Sequence, residues 1–273
     1  MTSLSSPDLP QQNARPQKPQ RFRASRTIVA LILREMSTRY GRSPGGYIWA
    51  LVEPLAGIVV MAVAFSLVLR APPIGTSFLL FYATGFLPYN LFQSLSVVIM
   101  RSMSFSRPLL RYPAVTWVDT IIARFILNTV TGLLVMYILM TGILMTLDTT
   151  AILDANKILT TLGLAAVLGL GIGALNCALM GLYPTWAIIW GIITRPLFLA
   201  SGILYLYESL PQLAREVLYW NPLIHITSLG RSAFFPMYEP NYVSPLYVMI
   251  FASVSLFLGV TLLRRFHRHI LQR

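Results

Sequence analysis

Residues 46–70 read GYIWALVEPLAGIVVMAVAFSLVLR, and this run decides the fold. From Ile48 to Leu69 the only charged side chain is Glu53, and a helix of that length covers about 30 Å, the depth of a bilayer's hydrocarbon. Outward from it the pattern repeats: apolar stretches at about 78–99, 120–146, 158–182, 186–205 and 244–264 bring the expected transmembrane helices to six. The whole chain of 273 residues is 56% hydrophobic and 11% charged, too apolar a balance for a soluble domain. The expected fold class is an all-α integral membrane protein with a single transmembrane domain over 25–273. Residues 1–24 are polar, basic and proline-containing, without the apolar centre of a cleaved signal, and are expected to form a disordered cytoplasmic arm.

Charge orients the spans. With the amino end inside, fifteen basic residues fall on the cytoplasmic side and four outside, namely Arg70, Lys157, Arg215 and Arg231. Basic loops resist translocation, so both termini are expected in the cytoplasm. Ahead of the first span, SRTIVALILREMSTRY sets Val29, Ile32, Leu33, Met36 and Tyr40 on one helical face, with Arg34 and Thr38 pointing away. The spacing predicts an amphipathic helix over 25–42 lying on the inner membrane surface. The breakers SPGG at 43–46 then turn the chain into the membrane.

Several side chains sit where lipid would penalise them. Glu53 lies about 8 Å into its span, either paired with a cation or amide or placed on a substrate path. Arg195, before Pro196, is the clear mid-span cation, with the same two readings. Asp119 and Arg124 stand five apart and are a candidate pair across a helix interface. Gly169 and Gly173 show the small-x-x-x-small spacing that lets membrane helices approach closely. After the fifth span, residues 212–236 are too polar to cross and too apolar for a free loop, so short outer re-entrant helices are expected. His225 in that region reads as a hydrogen-bonded interface residue and not as a ligand.

Catalytic and energy-converting motifs are missing. The sequence has no Gly-x-x-x-x-Gly-Lys-Ser/Thr loop, and LGLGIGALN at 168–176 has neither a preceding strand nor a lysine. The nine acids and three histidines are scattered, and the single Cys177 has no neighbouring ligand, so no catalytic site, metal site or cofactor is expected. A membrane enzyme on lipid-linked sugar and a secondary transporter are the rival readings; the first lacks a carboxylate cluster, the second an internal repeat with paired broken helices.

STRYGRSPGGYIWALVEP, LLRYPAVTWVDTIIAR, RPLFLASGILYLYESLP and YWNPLIHITSLGR, in this order and spacing, resemble the membrane subunit of ABC-2-type exporters, most closely the capsular polysaccharide export permease of Gram-negative bacteria. The resemblance runs from about residue 25 to 265. It implies the ABC-2, or type V exporter, fold in the bacterial inner membrane, as a homodimer bound to two copies of a separate ATPase that carries ATP and Mg. It further implies a lipid-linked, usually acidic polysaccharide as cargo, with periplasmic adaptor and outer-membrane partners and no nucleic acid. On the same basis Arg39, Tyr40, Arg107, Pro108, Leu109, Leu110, Arg111 and Tyr112 would touch the ATPase, and Trp220, Asn221, Pro222 and Arg231 would belong to the outer gate. Trp49, Glu53, Tyr82, Phe86, Tyr89, Trp186, Trp190 and Arg195 are the substrate-path candidates, because sugars offer apolar faces to aromatic rings and acidic sugars attract arginine. MGLYPTW at 180–186 departs from the Arg-Asp pair frequent in O-antigen and teichoic acid exporters, which favours the capsule branch. A permease for O-antigen, another lipid-linked glycan, a lipid or a drug is the alternative within the family.

Overall fold

The computed structural model describes residues 23–40, 46, 48–111, 115–147 and 153–272. Ten helices appear among them and no strand: α1 (Arg23–Tyr40), α2 (Ile48–Ser66), α3 (Phe78–Met100), α4 (Ser102–Ser106), α5 (Trp117–Thr146), α6 (Ala155–Leu182), α7 (Trp186–Ala200), α8 (Gln212–Leu218), α9 (Pro222–Ser232) and α10 (Pro245–Gln272). By length and composition α2, α5, α6 and α10 can each cross a membrane. The arm 1–22 lies outside the described residues.

Six apolar runs thus become six helices, with shifted ends. α7 stops at Ala200, not 205, and has 15 residues. The chain then reverses through Gly202 at φ +68, a left-handed conformation that a Cβ would strain. α10 continues to Gln272, well beyond the expected 264, because its last turns pack on the end of α6: a Cβ at Gly181 would lie 2.7 Å from Ile270. The corner before α2 contains Gly46 at φ +44, again a glycine conformation; Ser43, Pro44 and Gly45 lie outside the described residues.

α3 and α6 form the centre of the bundle. α3 buries most of its length, including Phe81, Tyr82, Leu95 and Ile99 with almost no exposure. The small-residue face of α6 meets it as expected: a Cβ at Gly169 would stand 2.8 Å from Leu95, and one at Gly173 would stand 2.8 Å from Ile99. On the other side of α6, a Cβ at Gly171 would come within 2.3 Å of the Ala252 carbonyl of α10. α6 is therefore clasped on two faces. α2 and α7 are peripheral, presenting Val59, Val60 and Val63, and Ile188, Ile192 and Leu199, on the outside.

The expected Asp119–Arg124 pair does not form. Residues five apart lie about 140° around a helix from one another. Asp119 instead closes a capping box at the start of α5, accepting from Thr116 N–H at 2.9 Å while its own N–H donates to Thr116 Oγ at 3.2 Å. Arg124 turns to α1, where its Nε lies 3.2 Å from a Glu35 carboxylate oxygen.

Candidate functional site

Helices α2, α3 and α5 diverge around a cavity of about 450 Å³. Its lining carries Glu53 and Trp49 from α2, Asn90, Gln93 and Ser94 from α3, and Asn128 and Thr131 from α5. These residues share the cavity because they recur at three- or four-residue spacing on their helices: 49 and 53, 90 and 94, 128 and 131. Asn128 is buried and its amide donates to the Arg124 carbonyl at 2.8 Å. Thr131 returns its hydroxyl to the Leu127 carbonyl at 2.8 Å. Among the described residues the buried Gln93 side-chain oxygen meets no hydrogen-bond partner, although an amide oxygen taken from water costs about 1–3 kcal/mol when left unpaired. Amides, hydroxyls and one carboxylate inside membrane-length helices match a hydroxyl-rich ligand better than a hydrocarbon one.

Gln93 also borders a second hollow of about 450 Å³ between α3 and α7, lined by Tyr89, Thr194, Arg195, Phe198 and Leu199. Tyr89 donates its hydroxyl to the Thr194 carbonyl at 3.3 Å and stands edge-on to Phe198, ring centres 5.3 Å apart. Phe86 meets the same Phe198 ring at 6.4 Å. Arg195 is exposed on this face, and no carboxylate among the described residues lies within ion-pair distance of it.

The other substrate-path candidates pack inside the subunit. Tyr82 is fully buried among Phe65, Phe78 and Phe81. Trp186 donates its indole N–H to Asn176 at 2.9 Å, and Trp190 is buried beside α6. The structure thus brings Trp49 with Glu53, and Tyr89 with Arg195, to open cavities; Phe86, Tyr82, Trp186 and Trp190 pack into the core. Asn90, Gln93, Ser94, Asn128 and Thr131 were not singled out from the sequence. The available signal was their polarity at helical spacing within apolar runs.

At the far end of α3, the segment 101–111 folds back as α4 and a 3₁₀ turn, Leu109–Arg111. Arg107 donates to the Leu271 carbonyl at 3.4 Å, so its guanidinium meets the carboxyl end of α10, where a cation is favoured. Pro108 is exposed, and Leu109 and Leu110 are half-buried, Leu110 against the α3–α6 core. The side chains of Arg39, Tyr40 and Arg111, and all of Tyr112, lie outside the described residues.

The other end of the bundle is ordered by two buried polar side chains. Arg231 has no exposed surface; it donates to the carbonyls of Gly202 at 2.6 Å, Ile203 at 2.6 Å and Tyr205 at 2.8 Å, and lies 4.1 Å over the Phe81 ring. It ties down the chain reversal after α7 and does not line an opening. His225 spans α8 to α10: Ser244 N–H donates to its Nδ1 at 3.3 Å, which leaves Nε2–H to donate to the Tyr219 carbonyl at 2.8 Å. Burial pushes its pKa below the ordinary histidine value, with the Tyr219 carbonyl opposing. Asn221 caps α9 and donates to the Ala200 carbonyl at 2.9 Å, Pro222 takes the first helical position, and Trp220 is 69% exposed.

Among the described residues no group of His, Cys, Asp and Glu could hold a metal ion. Curated relatives are similar in sequence to the chain over most of its length. The polysialic acid transport protein KpsM of Escherichia coli is 32% identical over 87% of this chain and 92% of its own. The capsule polysaccharide export inner-membrane proteins CtrC of Neisseria meningitidis and BexB of Haemophilus influenzae are 28% and 29% identical, each over 89% of this chain and 92% of their own. The sequence model of the family described as ABC-2 type transporter matches residues 26–235, which hold most of α1, both cavities, α8 and α9. A chain of membrane-length helices, with polar cavities between them and no nucleotide loop of its own, belongs to the ABC-2 type transporter family.

Proposed function

We propose that the chain is the membrane permease of an ATP-driven exporter that carries capsular polysaccharide across the bacterial inner membrane. The observation that carries this reading is the convergence of Asn90, Gln93, Ser94, Asn128 and Thr131 with Trp49 and Glu53 on a cavity inside membrane-length helices. Sugars present hydroxyls to amides and apolar faces to indoles, so such a wall suits a polymer passing in steps without tight binding. The exposed Arg195 beside Tyr89 adds a cation for acidic sugars or a lipid phosphate. The names of the similar proteins support the same cargo, a polysaccharide of the cell surface.

In this reading six helices, α2, α3, α5, α6, α7 and α10, span the membrane, α1 lies on its inner face, and α8 and α9 are the outer re-entrant helices. Both termini are cytoplasmic. Two copies assemble with their exposed α2 and α7 faces toward each other and the cargo path, since lipid is a costly neighbour for Glu53 and Arg195. A separate ATPase, in two copies, binds ATP and Mg and engages α1 and the 101–111 loop; adaptor and outer-membrane proteins receive the polymer.

The test fills the cavity. In a capsulated host relying on this chain, Asn128→Leu and Thr131→Leu together are expected to leave the protein inserted while polymer builds up in the cytoplasm. Undiminished polymer at the surface, with the double variant as the only permease, would refute the assignment. Should a lipid, drug or O-antigen accumulate in its place, the alternative cargo within the family is correct.

A further inference from the structure

Arg124, on α5, reaches three other elements with one guanidinium. Its Nε lies 3.2 Å from Glu35 of α1, its Nη1 donates to the Val98 carbonyl of α3 at 2.7 Å, and its Cζ lies 4.2 Å from the centre of the Phe105 ring on α4. Arg34 of α1 approaches the same ring, 5.3 Å from its centre. The Arg124 and Glu35 side chains are only 8% and 7% exposed. Such a buried pair is weak support for stability, because apolar side chains of similar volume often do as well; its distinctive property is that it tolerates one arrangement only. A planar guanidinium that meets a carboxylate, a carbonyl and a ring face at once ties together the elements that carry them.

We infer that the Arg124–Glu35–Phe105 cluster joins the interface helix α1, the α4 loop and the inner ends of α3 and α5 into one rigid strut, with Arg124 as the positioning residue that transmits a push on α1 or α4 to the membrane helices. The loop's other ties agree with this. Ser102 Oγ meets Cys177 Sγ of α6 at 3.4 Å, and Arg107 meets the end of α10, so the segment 102–107 is tied to two further helices. Val29, Leu33 and Met36 of α1 are exposed, while Leu31 and Glu35 bury its inward edge.

The inference rests on the permease reading, and the experiment separates the two. Glu35→Gln, Arg124→Lys and Phe105→Leu are each introduced into the full transporter, and two readouts are taken. The first, hydrogen exchange on the permease alone, is expected to show amides of α1 exchanging at least about tenfold faster in all three variants, with α6 unchanged. The second, ATP hydrolysed per polymer exported and normalised to folded permease, is expected to rise about fivefold or more, the lower range for coupled sites. Arg124→Lys is decisive, because an ammonium keeps the charge but cannot serve three directions; export at the unmodified ratio in that variant overturns the strut. So does an α1 that loosens in all three variants while the ratio stays fixed, which would make the cluster merely structural, and so does an α1 that stays protected. A wild-type chain that moves no polymer with any ATPase would instead defeat the permease reading, while the exchange measurement would still decide the strut.

Discussion

Replacing Gly171 by Ala tests the clasp on α6 at its tightest point. The added Cβ would sit 2.3 Å from the Ala252 carbonyl oxygen, roughly 1 Å short of ordinary contact, and both groups belong to backbones that no rotamer change can move aside. α6 cannot retreat, since Gly169 and Gly173 already bring its opposite face against Leu95 and Ile99 of α3. α10 must therefore step outward by about 1 Å, and a gap of that size forfeits a quarter to a half of each dispersion contact along the seam. Overpacking of this kind costs about 3 kcal/mol at the upper end, against about 1 kcal/mol gained from removing a helical glycine, for a net loss of about 2 kcal/mol. Gly163→Ala is the internal reference, because nothing lies within 4 Å of its added Cβ, and it should gain up to about 1 kcal/mol. Thermal unfolding of the purified permease in detergent, followed by loss of helicity, should place Gly171→Ala below the unmodified protein and Gly163→Ala at or above it. Equal midpoints for the two variants would refute the backbone contact between α6 and α10.

Two further outcomes follow from the end of the bundle that holds Arg231 and His225. Arg231→Met leaves the Gly202, Ile203 and Tyr205 carbonyls without their donor, at about 1–3 kcal/mol each, and should destabilise by about 4 kcal/mol or more, read as lost folded protein or rapid proteolysis between α7 and α9. Because burial lowers the His225 pKa, the unfolded chain binds the proton more readily, so the neutral ring's contribution is complete above about pH 6.5 and is lost as pH falls through the lowered value; melting temperatures taken from pH 7.5 to 5 should fall less steeply in His225→Asn than in the unmodified protein.

The long helices and the separate helix before α2 were legible in residue order, because hydropathy and helical spacing are local properties that a bilayer enforces on each segment separately. The close face at Gly169 and Gly173 was legible for the same reason. What only the folded chain decided was which polar group meets which. Arg124 had Asp119 five residues away and chose Glu35, 89 positions distant, because helical geometry turns the first aside and the packing of α1 presents the second. Arg231, which reads in sequence as an outward cation, became a fully buried clamp because α7 ends early and exposes carbonyls that need a donor. The cavity between α2, α3 and α5 depends on the directions of three helices from different parts of the chain, and those directions are set by side-chain packing across the bundle, which no single segment encodes.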